Sequence, residues 1–196
     1  LTGRPVTLVV NSHHHGDHVR GNQEFEGASI ISTDRTAELI GDTSPQDIDT
    51  YATHLSGWIE SLDEQITEGT TVSQTANRHD LQLTRAAAHS VLTSLPELTI
   101  TMPTRSFNDE LVVEGSEQSV HLISYGGGHT DSDTLLFLPD SAVLFAGDLL
   151  WVETHPWAGD GHPDEWVSII YRLKALSPSA VVPGHGTVAD FEYARL

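Results

Sequence analysis

Short apolar runs rich in Val, Ile and Leu recur toward both ends of the chain, whereas between about residues 42 and 95 the apolar positions fall three and four apart. The first texture predicts strands and the second helices. VTLVV at 6–10 and ASIIS at 28–32 read as strands, and Thr33-Asp34 reads as the cap of a short helix through Ile40. Ser44-Pro45 reads as the start of a helix carrying Ile48, Tyr51, Leu55, Trp58, Ile59 and Leu62 at helical spacing. A second helix is expected over 79–95, stopped near Pro96. After it come LTITM, ELVVE, SVHLIS, TLLFLP and AVLFAG, short strands separated by Gly, Pro, Asn and Asp. HPDEWVSIIYRLKAL then reads as a helix with Trp166, Ile169, Ile170, Leu173 and Leu176 on one face, and AVVPG as a last strand.

Strands mixed with helices in this way argue for a layered α/β domain. The expected organisation is one domain over residues 1–196 with a helical insert at 42–97, placed as an insert or lid. The chain opens on Leu1 rather than Met and reaches its first strand almost at once, so an upstream segment is expected. No run of about 18 apolar residues offers a membrane span. Nine basic residues against 28 acidic ones leave a formal charge of −19. Such a field repels polyanions, so the expected partner is a small-molecule substrate and not nucleic acid or an anionic membrane. A cytoplasmic location is the expectation. The absence of cysteine removes disulfides, thiolate ligands and a thiol nucleophile, which leaves His, Asp and Glu to hold any metal.

Histidine is concentrated where strands end. The run NSHHHGDH follows the first strand with His13, His14, His15, Asp17 and His18; SYGGGHTDSD delivers His129; FAGD delivers Asp148; and VVPGHG delivers His185. Strand ends converging on one rim build ligand sites in α/β folds. A divalent ion needs three or four imidazole or carboxylate donors at about 2.0–2.2 Å. The spacing H-x-H-x-D-H lets His13 and His15 face one ion while Asp17 and His18, on the turn beyond, face a neighbour. Without a cation, several partly desolvated imidazoles and two carboxylates would be gathered at a cost.

These motifs, in this order, resemble the metallo-β-lactamase-fold hydrolases over most of the chain. The resemblance implies an αββα four-layer sandwich, with the family's usual opening strands lying before Leu1. It implies that His13, His15 and His129 hold one metal, that Asp17, His18 and His185 hold a second, and that Asp148 bridges them; His14 is the variable position of the motif. Two zinc ions are the implied cofactors, with iron or manganese as alternatives. β-Lactamases of this fold carry Cys or Ser where Asp148 stands, so the chain is similar to the bridging-Asp branch of glyoxalase II-like and lactonase-like enzymes. Trp151 stands where lactonases of that branch carry Tyr, and no basic cluster like a glutathione site follows Asp148. Ser132 replaces a common glycine in the Gly-His-Thr element, with Asp133 as an outer-sphere residue.

The implied chemistry is hydrolysis of a small ester, thioester, lactone or amide by a hydroxide shared between the metals. Asp148 fixes the ion separation and Asp17 orients the nucleophile, so both are expected to be catalytic. The stretch after Asp148 is dense in Trp151, His155, Trp157 and His162, which are the expected substrate wall, with core packing the competing role for the two tryptophans. A mononuclear iron oxygenase similar to the persulfide dioxygenases and a non-catalytic metal-binding module are the alternative readings.

Overall fold

The computed structural model describes residues 3–43, 45–68 and 78–192. The chain divides into two compact units, one formed by Leu1–Gly41 with Ile100–Leu196 and the other by Asp42–Thr99. No helix among the described residues is long and apolar enough to cross a membrane.

The first unit is a mixed α/β structure with two sheets. Strands β1 (Leu8–Val10), β2 (Ser29–Thr33) and β3 (Arg105–Phe107) form a parallel sheet in that order. Helix α1 (Gly16–Val19) follows β1, and α2 (Asp34–Gly41) follows β2. Thr33 caps α2 as its position suggests, its Oγ1 accepting the Thr36 N–H at 3.0 Å.

The second unit holds α3 (Pro45–Glu68) and α4 (Arg78–Ser94), which pack through Leu55, Ile59 and Ala88 and are joined by Arg85 bonding both carboxylate oxygens of Asp63. Both helices lie where the spacing places them, although Trp58 stays half exposed while Leu55, Ile59 and Leu62 are buried. Ser44, read with Pro45 as the start of α3, lies outside the described residues.

Returning to the first unit, strands β4 (Glu110–Glu114), β5 (Ser119–Ser124), β6 (Thr134–Leu138), β7 (Val143–Trp151) and β8 (Ala180–His185) form a second sheet in sequence order. The first three junctions are antiparallel and β7 pairs parallel with β8, so β5, β7 and β8 run in one direction. Helix α5 (Pro163–Ala175) precedes β8 and buries Trp166, Ile169 and Leu173 against Leu135, Leu144, Leu149 and Val181 of this sheet. The opposite face contributes Leu122 and Leu136 to a cluster with Ile31, Phe107, Leu8 and Val10, so the two sheets share a core.

One expected strand is absent: LTITM at 98–102 is not a strand, and the chain pairs only from Arg105. Its alternation suits a strand, but Pro103 supplies no N–H for a ladder. Thr101 uses its carbonyl on the Asn22 side chain instead.

Candidate metal centre

Parallel strand direction brings the chain ends of β5, β7 and β8 to one edge, and the loop after β1 is tied to the same edge by Thr134 N–H donating to Ser12 O at 2.7 Å. A buried amide pair fixes the root of that loop. Asn11 and Asn22 exchange two 2.9 Å hydrogen bonds through their side chains, and Asn11 Nδ2 also donates to His18 O at 3.2 Å. The short helix α1 then carries Asp17 and His18, and the His18 ring lies 4.2 Å from that of His13.

Seven residues named from the sequence meet in two adjoining sets. In the first, His15 Nδ1 lies 3.0 Å from both His13 Nε2 and His129 Nε2, and Asp148 Oδ2 lies 3.9 Å from His13 Nε2 and 3.3 Å from His129 Nε2. In the second, Asp17 Oδ2 lies 3.2 Å from His18 Nε2 and 3.3 Å from His185 Nε2. Asp148 borders this set too, with Oδ1 3.3 Å from His18 Nε2 and Oδ2 3.4 Å from His185 Nε2. His13, His129 and Asp148 are buried, whereas Asp17 and His185 open toward solvent.

This packing suits a cation better than hydrogen bonding. A ring nitrogen has one lone pair or one proton in its plane, so His15 Nδ1 can make a hydrogen bond with only one of the two imidazoles facing it. Similarly, His18 Nε2 and Asp148 Oδ1 lie at ion-pair distance, yet neither completes a hydrogen bond. A tetrahedron whose centre is about 2.0–2.2 Å from each corner, the reach of zinc to imidazole and carboxylate, has edges of roughly 3.3–3.6 Å, and the separations of 3.0–3.9 Å in the first set bracket that range.

Protonation follows burial and neighbours. Burial, then the imidazoles of His18, His15 and His129, hold His13 far below the ordinary histidine range. Burial, then His15 and His18, lower His129 to about 4. Both rings are therefore neutral at neutral pH and can offer lone pairs. Contact with His18 holds Asp17 below the usual carboxylate range, and burial raises Asp148. Burial pulls His18 down, but Asp17 and Asp148 outweigh it and raise the ring.

Asp148 is not at a strand end, as its Gly-Asp setting suggests, but inside β7. The ladder to β8 shifts register between Phe145 and Gly147 and again between Gly147 and Trp151. Gly147 has φ +53°, and a Cβ there would sit 2.9 Å from Ser12 Cβ. Gly184 of β8 leaves room for the carboxylate itself, since a Cβ at this position would land on Asp148 Oδ1.

The four aromatic and histidine residues of the expected wall separate. Trp157 is half exposed, with its ring 5.1 Å from His15 and 6.3 Å from His129. Trp151 stacks on His185 at 4.3 Å and donates Nε1–H to Asp148 O, so it braces two donor residues. His162 pairs with Asp131 at 2.9 Å and lines an open cavity of about 420 Å³ with Arg35, Gly127 and Glu165. His155 is exposed. Asp133 accepts Gly128 N–H, Thr130 N–H and the Thr130 hydroxyl, closing the turn that presents His129. Sequence reading missed Asp160, whose Oδ2 lies 3.1 Å from His15 Nε2, and the Asn11–Asn22 pair. The asparagines flank the histidine run, which was the available signal, whereas Gly-Asp-Gly around Asp160 has the composition of an ordinary turn.

Residues 1–185 match the family description of the metallo-beta-lactamase superfamily. A metallo-beta-lactamase type 2 of Bacteroides fragilis is 32% identical over 96 residues, which are 46% of this chain and 39% of that protein. A linear primary-alkylsulfatase of a Pseudomonas species is 23% identical over 192 residues, covering 95% of this chain and 35% of that protein. Among solved structures, a metallo-beta-lactamase from Pontibacter korlensis superposes with a TM-score of 0.63 at 19% identity, over 97% of this chain and 66% of that one. The chain thus spans little more than a third of the length of these two curated relatives. The structural likeness bears on the fold, and the two sheets with their helices agree with it.

Proposed function

The chain belongs to the metallo-beta-lactamase superfamily, a superfamily of metal-dependent hydrolases, and from that premise we propose that it is a dinuclear zinc hydrolase of a small ester, thioester, lactone or amide. The observation that carries this reading is Asp148, a buried carboxylate whose two oxygens border both donor sets. His13, His15 and His129 would hold one ion, Asp17, His18 and His185 the other, and Asp148 would touch both. Two divalent ions held by these residues would supply a water acidified toward neutral pH and a Lewis acid for the bond to be broken.

The chain's own residues do the rest. His13 and His129, kept neutral by burial, present lone pairs without first losing a proton. Asp148 spans the two sets from a buried backbone braced by Trp151 Nε1–H. Asp17 stands at the solvent side with Oδ2 between His18 and His185, where it can orient an attacking water. Trp157 offers an apolar face beside His15 for the acyl part of a substrate.

The bridging carboxylate supports the glyoxalase II-like and lactonase-like branch over β-lactam cleavage. The second donor set also argues against a single-iron oxygenase. The test is metal analysis of the purified full chain with a panel of esters, thioesters, lactones, β-lactams and alkyl sulfates, the last taken from the alkylsulfatase relative. About two zinc ions per chain and turnover abolished in D148A are expected. One iron per chain with oxygen consumption would contradict the reading.

A further inference from the structure

His15 is held from both sides. Its Nδ1 faces His13 and His129, and its Nε2 faces Asp160 Oδ2 at 3.1 Å. Asp160 arrives from a loop 145 positions along the chain, and that loop is anchored. His162 N–H donates to Gly128 O at 2.8 Å, and the His162 ring pairs with Asp131, which Arg35 Nη2 holds at 2.6 Å. Gly161 N–H closes the turn onto Ala158 O. Gly128 immediately precedes His129, so the segment that supports Asp160 is bonded to the turn that presents another member of the first donor set.

We propose that Asp160 is a positioning residue: it accepts the Nε2 proton of His15 and so fixes the tautomer whose Nδ1 lone pair points into the first metal site. This rests on the reading that an ion is held by His13, His15 and His129. A neutral imidazole carries one proton, and a carboxylate at Nε2 keeps that proton away from Nδ1 while raising the basicity of the ligand nitrogen. The bond also limits rotation of the ring, which is otherwise only partly buried.

The same atoms allow a rival arrangement, because donor atoms of His14, His15 and Asp160 lie within 4.8 Å of one another and His14 Nδ1 is buried without a hydrogen bond. In that arrangement Asp160 is itself a ligand, of a third cation. The 3.1 Å contact between His15 Nε2 and Asp160 Oδ2 meets hydrogen-bond geometry, and this favours the positioning role.

The test compares the wild-type full chain with D160A, D160N and D160E. It reads zinc affinity by chelator competition, the visible spectrum of the cobalt(II)-loaded protein, and side-chain proton–nitrogen NMR of His15 in the zinc-loaded protein. D160A is expected to weaken the first ion by about 10–100-fold, change the cobalt absorption and lose a protected Nε2 proton, leaving the second ion nearly unaffected. D160N, which keeps a carbonyl oxygen, should recover part of the affinity and the protected proton; D160E should recover less, its longer side chain being displaced. Unchanged affinity and spectrum in D160A would overturn the proposal, as would a third zinc equivalent in the wild type that both D160A and H14A lose. A wild type that takes up no metal would overturn the functional reading itself, whereas a metal-loaded wild type with indifferent Asp160 variants would sink only the positioning role.

Discussion

Replacing Asp133 separates a carboxylate that closes the His129 turn from one that merely fills space. Asp133 Oδ2 accepts Gly128 N–H at 2.9 Å and Thr130 N–H at 3.0 Å, and Oδ1 accepts the Thr130 hydroxyl at 2.9 Å. In D133A two of these donors have a second acceptor: Gly128 N lies 2.9 Å from Thr130 O, and Thr130 Oγ1 lies 3.1 Å from Ser132 O. Thr130 N–H bears the main loss, in a segment with no exposed surface at Thr130. One buried donor left unpaired, plus weakened bonds to the other two, amounts to roughly 2–4 kcal/mol. For a chain of this size that is a fall in midpoint of roughly 5–15 °C. D133N behaves differently, because its Oδ1 can take both backbone N–H groups while its Nδ2 donates to the Thr130 hydroxyl; the expected loss is within about 1 kcal/mol. Urea and thermal unfolding of the metal-free chain at neutral pH measure both. Equal destabilisation by Ala and Asn, or an Ala variant within ~0.5 kcal/mol of wild type, would refute this assignment of the bonds.

The same carboxyl gives a pH dependence, since burial pushes Asp133 up to about 6 against the pull of its donors. The folded chain then keeps a proton that the unfolded chain releases near pH 4, so wild type should lose stability relative to D133N between about pH 4 and pH 6 and hold level above; parallel profiles would contradict this. G184A brings a Cβ onto Asp148 Oδ1 and to 2.8 Å from the Gly147 carbonyl carbon. Metal affinity by chelator competition should fall about tenfold or more, while an unchanged affinity would show that Asp148 has room to move. L144A empties a fully buried position under α5 and should cost about 2–5 kcal/mol in urea unfolding, with metal stoichiometry retained in the folded fraction.

The residues of the candidate site were legible because each sits in a short motif in or next to a strand, and strand direction carries separate motifs to one edge. His13, His15, Asp17 and His18 share one loop, and His185 ends β8 within Pro-Gly-His-Gly. What the sequence concealed depends on contacts between distant segments. Asp148 reads as a strand-end residue, but β7 runs on to Trp151 through a register shift at Gly147, whose φ is +53°. For Trp151, tryptophan composition suggests a pocket wall but cannot show that the ring stacks on His185. Asp160 had no local signal, since its partner lies in the opening loop. LTITM alternates as a strand would, yet the proline after it and the side-chain bond to Thr101 leave it outside the sheets.

Anomalous diffraction at the zinc edge, from crystals of the zinc-loaded full chain, tests most directly whether Asp148 stands between two cations. Two peaks about 3.5–4 Å apart are expected, one among His13 Nε2, His15 Nδ1 and His129 Nε2, the other among Asp17, His18 and His185, with Asp148 reaching both. A single peak with His185 turned away, or peaks remote from Asp148, would contradict the proposed dinuclear centre.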